Sequence, residues 1–140
     1  MIKGPRAEPD AARFRDIAEA AFKALPEEFR RFVEGVVFQI EEFPDDEIMD
    51  EMEIDDPYDL LGLYDGVALG EKSVSAVTQD LDRVFLYREP ILDYCRETGE
   101  APEWVVRHVI IHEIGHHFGL SDDDMERIER AAEGNVEDHR

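Results

Sequence analysis

The segment from Pro102 to Gly119 constrains this chain more than any other. Val105, Val109, Ile110, Ile111, Ile114 and Phe118 recur through it and make a strongly apolar helix. A helix this apolar must be largely buried, so the rest of the chain has to fold around it. The 140 residues are close to one domain and long enough for a single core. Gly and Pro, at 9 and 7 residues, are too sparse for a low-complexity chain, and no internal repeat or linker-like segment divides residues 1–140.

The periodicity upstream alternates between helix and strand. From Pro9 to Leu25, Ala11, Phe14, Ile17, Ala18, Ala21 and Phe22 form the stripe of an amphipathic helix. Pro26 opens a short second helix with Phe29, Phe32 and Val33 inward, ended by Gly35. The period then becomes two, with Val36, Phe38 and Ile40 opposed to Val37, Gln39 and Glu41, which predicts a strand. Leu61–Tyr64, ending in an Asp65-Gly66 turn, and Asp82–Arg88, with Val84 and Leu86 opposed to Phe85 and Tyr87, predict two more. Pro90 starts a short helix through Ile91, Leu92 and Cys95 that Gly99 is placed to end, and a last helix runs from Asp123 to Ala132. The expected class is α+β, one domain.

Acidic residues number 36 against 15 basic ones, a formal net charge of −21, which argues against a groove for nucleic-acid phosphates and against anionic membranes. No apolar run approaches the ~20 residues that span a bilayer, and Met1 to Pro9 has no signal-peptide core, so a cytoplasmic location is expected. Between Glu41 and Asp59 there are eleven acidic residues and no Lys or Arg, broken by Pro44 and Pro57; this reads as a long acidic connection whose spacing does not match a calcium loop. Cys95 is the only cysteine, so any metal site must use His and carboxylate.

The apolar helix carries His112-Glu113-Ile114-Gly115-His116, an H-E-x-x-H motif. Residues four apart share a helix face with Cβ atoms about 5–6 Å apart, so two imidazoles can converge on one zinc ion. Glu113 is rotated about 100° from His112, which suits a carboxylate contacting metal-bound water as general base. Gly119 permits a left-handed turn that lets the chain double back, bringing Asp122 towards the histidines as a third ligand. At this composition the short motif is expected roughly 0.025 times by chance, and the extension H-E-x-x-H-x-x-G-x-x-D roughly 0.0002 times.

His112 to Asp122 resembles the signature of the Asp-zincins, and the run from His112 to Leu120 is similar to the small bacterial zincin-like metallopeptidase-domain family, the mini-zincins. Leu61-Gly62-Leu63-Tyr64-Asp65-Gly66-Val67 and the run Val84 to Leu92 also look like that family's segments, so the likeness covers about Phe32 to Ile128. The resemblance implies a minimal zincin fold, a small mixed sheet beside an active-site helix, with zinc on His112, His116 and Asp122 and Glu113 as base. It further implies that the Asp82–Arg88 strand is the rim that pairs with an extended substrate. The chain departs from metzincin-like proteases, whose Met-containing turn lies well downstream of the third ligand; Met125 stands three residues past Asp122 and takes no such role.

Plainer roles compete at several positions. Asp122 also fits, with Ser121, Asp123 and Asp124, the acidic start of the last helix. His108 lies on the same stripe as His112, yet three consecutive turns do not easily wrap one tetrahedral ion. His117 reads as surface or supporting, with a role at the oxyanion as alternative; Tyr64 and Tyr87 read as core or rim aromatics, either of which polarises a carbonyl only if it reaches the cleft. Trp104 reads as a packing anchor, Cys95 as a packed thiol and His139 as part of a frayed tail.

The sequence thus predicts a zinc-dependent peptidase acting on peptide or amide bonds, with one zinc per chain, Glu113 as base and a peptide or protein substrate in an open groove. The alternative is a catalytically silent zincin-like binding module. An intact Glu113 favours catalysis, because a structural site needs the histidines but not a glutamate aimed at water.

Overall fold

The computed structural model describes residues 8–31, 35–65 and 82–137. Phe32, Val33, Gly66, Val67 and His139 lie outside them. In chain order the described elements are α1 (Ala11–Lys23), α2 (Glu27–Arg30), β1 (Val37–Glu41), α3 (Asp46–Glu51), a 3-10 turn at Pro57–Asp59, β2 (Gly62–Asp65), β3 (Arg83–Tyr87), α4 (Arg88–Thr98), α5 (Pro102–His117) and α6 (Asp122–Glu137). The fold is α+β with a small mixed sheet, as expected.

The sheet order is β1-β3-β2, with β3 parallel to β1 and antiparallel to β2. Register aligns Phe38, Val84 and Tyr64 in one row and Ile40, Leu86 and Gly62 in the next. Because side chains alternate across a strand, both rows fall on one face, and Phe38, Val84, Tyr64 and Leu86 are all buried. Helices α1 and α5 pack together; α1 lies against β1, and α5 against β2 and β3. Phe14, Ile17 and Ala18 of α1 join Val105, Val106, Val109, Ile110, Ile111 and Ile114 of α5 in the core between them.

Two expectations need correction. The Asp82–Arg88 strand is not a rim: β3 has both edges paired, to β1 and to β2, so its backbone groups are already used and no extended peptide can add to it. The acidic connection is also not featureless, since Asp45 accepts from the Ile48 amide at 2.8 Å and starts α3. That helix buries none of its residues, so it left no apolar period to read. The last helix is longer than expected at both ends, Asp122–Glu137 rather than Asp123–Ala132.

Candidate metal centre

Burial of α5 leaves one strip open. Seven of its residues, Val105, Val106, Val109, Ile110, Ile111, Ile114 and Gly115, are buried against the sheet and neighbouring helices. His108, His112 and Glu113 are partly exposed and His116 is exposed. The motif therefore sits where the most apolar helix of the fold reaches solvent.

One close approach aims Glu113. A β-carbon on Gly62 would fall 2.5 Å from Val109 Cγ1 and 2.9 Å from the Phe85 carbonyl, so β2 can lie this near α5 only with glycine there. Val109 and Glu113 are one helical turn apart, about 6 Å of rise, and Gly62 and Tyr64 are two strand residues apart, about 7 Å. The helix and the strand thus advance in step, and the Tyr64 backbone amide donates a hydrogen bond to the Glu113 carboxylate. Burial pushes the Glu113 carboxyl above its usual range, and the Tyr64 amide and the His116 charge oppose that rise.

The chain reverses after α5 as the sequence predicts. Gly119 takes φ 75°, the Leu120 amide donates to the Gly115 carbonyl at 2.8 Å and the Gly119 amide to the His116 carbonyl at 3.1 Å. This pair of bonds is a Schellman cap. Ser121 and Asp124 then cap α6 reciprocally: Ser121 Oγ accepts from the Asp124 amide at 3.1 Å, and Asp124 accepts from the Ser121 amide at 3.3 Å. The capping role weighed for Asp122 is thus filled by its neighbours. Helix α6 returns antiparallel to α5, with Met125 beside Gly115, Glu129 beside His112 and His108, and Glu133 beside Arg107.

The predicted ligands stand as follows. His112 and His116 lie one turn apart with ring centroids 5.8 Å apart and planes at 77°. Asp122 opens α6, is exposed, and is near enough that its charge acts on the His112 ring. Burial, and next the His108 ring, hold the His112 imidazole below its usual pKa, which keeps its lone pair free near neutrality. Two imidazoles one turn apart beside carboxylates fit a zinc donor set. The tightest grouping among the described residues is nevertheless His108, His112 and Glu129, whose ligand atoms lie within 4.8 Å of one another; it includes neither His116 nor Asp122.

A family model described as zincin-like metallopeptidase matches residues 33–132, most of the chain. The chain belongs to the zincin-like metallopeptidase family. That membership carries zinc and peptide-bond hydrolysis at family level, and it covers α5 with its motif, the reversal at Gly119 and the first two-thirds of α6. No curated protein matches the chain. Among the described residues, no helix of this zincin-like chain is long and apolar enough to cross a membrane.

The supporting residues divide clearly. The Tyr64 hydroxyl donates to Asp82 at 2.6 Å and its ring stacks on His117 at 4.1 Å, so its backbone, not its phenol, serves Glu113. Burial, reinforced by the charges of Asp45, Glu41, Asp65 and Glu113, pushes the Tyr87 hydroxyl up to about 12, so it stays a neutral donor. Trp104 stacks on His108 at 5.0 Å, and burial pushes the Cys95 thiol up, away from nucleophile chemistry. The sequence reading missed Glu129. Its signal was the spacing of Met125, Glu129 and Glu133, four apart on a helix that must fold back on α5 after so short a turn.

Proposed function

We propose that this chain is a zinc-dependent peptidase in which Glu113 handles the proton. The observation that carries this reading is the setting of Glu113: partly buried, raised in pKa, and held by the Tyr64 amide beside the His112–His116 pair. His112, His116 and Asp122 would hold the metal. Zinc held there would supply Lewis-acid chemistry, acidifying water and polarising a carbonyl. Glu113 takes the proton of the attacking water on one carboxylate oxygen and returns it to the leaving nitrogen. A carboxyl with raised pKa suits both halves of that transfer. The Tyr64 amide keeps the other oxygen in place, so the base does not have to be oriented anew at each turnover. Among the described residues β2 pairs on one side only, which leaves a strand edge near Glu113 for an extended peptide.

A peptide-library cleavage assay on zinc-loaded protein tests the reading, with Glu113→Gln as control. The parent is expected to cleave a subset of sequences, and the variant to keep zinc while losing at least about 100-fold in turnover. Zinc-loaded parent that cleaves no library member would leave a binding module as the better reading, and undiminished cleavage by the variant would remove Glu113 from the chemistry.

A further inference from the structure

The strip of α5 that carries the motif meets one carboxylate from α6. Glu129 Oε1 lies 2.5 Å from His108 Nδ1 and 3.8 Å from His112 Nε2. We propose that His108, His112 and Glu129 form a second divalent-metal position, one that shares His112 with the motif centre and is exclusive with it. The proposal goes beyond the peptidase reading and does not need turnover to hold.

Donor chemistry is the first support. Two imidazole nitrogens and one carboxylate oxygen are the three-ligand set that binds zinc with a coordination position left open, and the same set accepts cobalt or nickel. Donors on one tetrahedral ion with bonds of about 2.1 Å stand about 3.4 Å apart, so the His112–Glu129 separation is already within a few tenths of an ångström. The His108–Glu129 contact is a hydrogen bond, whose proton a metal displaces while the pair opens by roughly 1 Å.

Preorganisation is the second. The His108 ring lies between Trp104, at 5.0 Å and 13°, and His112, at 4.1 Å and 34°. Glu129 is held on a helix anchored at one end by buried Met125 and at the other by the Arg107–Glu133 pair at 3.4 Å. Its side chain is only 20% exposed, and the polar groups it meets on α5 are the two imidazoles. A carboxylate in such a place is costly unless paired.

Exclusivity follows from His112, which offers one Nε2 lone pair. An ion between His108 and His112 sits one helical turn, about 6 Å, from one between His112 and His116. The three-histidine stripe therefore holds an ion by two neighbours at a time, and Glu129, reaching in from another helix, completes only the His108–His112 pair. An ion parked there takes His112 away from the position next to Glu113.

Zinc titration against a chromophoric chelator decides the matter, with far-UV circular dichroism confirming the fold. His116 and Asp122 are exposed, so His116→Ala/Asp122→Ala leaves the core intact. That variant is expected to bind one zinc ion, and adding Glu129→Gln to it is expected to weaken binding at least about tenfold, as loss of a group at a metal site does. If His116→Ala/Asp122→Ala binds no zinc while His108→Gln/Glu129→Gln binds one as tightly as the parent, this proposal falls and the motif centre stands. An unchanged affinity on adding Glu129→Gln also overturns it. Absence of zinc binding in the parent overturns both.

Discussion

Gly115 and Met125 occupy adjoining halves of one volume. A β-carbon on Gly115 would fall 2.8 Å from Met125 Cγ and closer still to its sulfur, and Met125 is fully buried. The glycine inside the H-E-x-x-H motif is thus a packing residue, the point where α6 presses onto the motif helix. Gly115→Ala is expected to destabilise the fold by about 1–3 kcal/mol through overpacking, and Met125→Ala by about 2–5 kcal/mol through the cavity it leaves. In urea denaturation the double variant should cost less than the two single losses together, because the new methyl group grows into the new cavity. Simple additivity would mean that the two side chains do not share that space.

Gly62 makes a parallel prediction on the other side of α5. Gly62→Ala drives a methyl group into Val109 and into the Phe85 carbonyl, which is backbone and cannot turn aside. The strand has to move away from the helix, taking the Tyr64 amide from Glu113. The expected result is a loss of about 1–3 kcal/mol together with a drop in kcat for any peptide the parent cleaves, with zinc affinity changed far less. Equal losses in zinc affinity and kcat would show a general disturbance of α5 instead.

Much of this arrangement could be read in the chain, and the failures have physical causes. The apolar run on α5, the Gly119 reversal and the three strands all stand close to their expected places, because each rests on local periodicity or on a conformation only glycine favours. Strand order does not, since periodicity within a strand says nothing about its neighbours. A clue lay in β3 itself: Val84, Leu86 and Tyr87 are all buried, although Tyr87 alternates with the other two. Apolar residues on both faces mark a central strand, not a rim. Glu129 was missed for a different reason. The Met125, Glu129 and Glu133 spacing marks the face of α6 that returns to α5, but which α5 residue Glu129 meets depends on the register of two antiparallel helices, which no local pattern records.

His112 gives a titration that can be observed directly. Burial, with the His108 ring as the next cause, holds its pKa below the usual 6.5. In NMR spectra of the metal-free protein, the His112 ring is predicted to titrate below that value, and His108→Gln is predicted to move the midpoint back upward. A midpoint at or above 6.5 in the parent would contradict the geometry of the strip. Zinc uptake should weaken on acidification through the same range, because a protonated imidazole has no lone pair to give.

Glu113 links the proposed chemistry to stability. Burial raises its carboxyl above the usual 4.5, so the folded chain holds that proton more tightly than the unfolded chain does. Between 4.5 and the raised value the folded state carries more protons, and stability therefore falls as pH rises through this window. Above the window the full cost of a partly buried carboxylate is present; below 4.5 it vanishes. Glu113→Gln removes the charge and keeps an acceptor for the Tyr64 amide. Metal-free Glu113→Gln is thus predicted to melt above the parent at pH 8, by on the order of 2–8 °C for each kcal/mol relieved, and the difference is predicted to shrink as both are acidified. Thermal melts across pH 4 to 8 check it. A variant that melts below the parent at pH 8 would mean that the carboxylate is a net stabilising partner of the Tyr64 amide and not a base held ready at some cost to the fold.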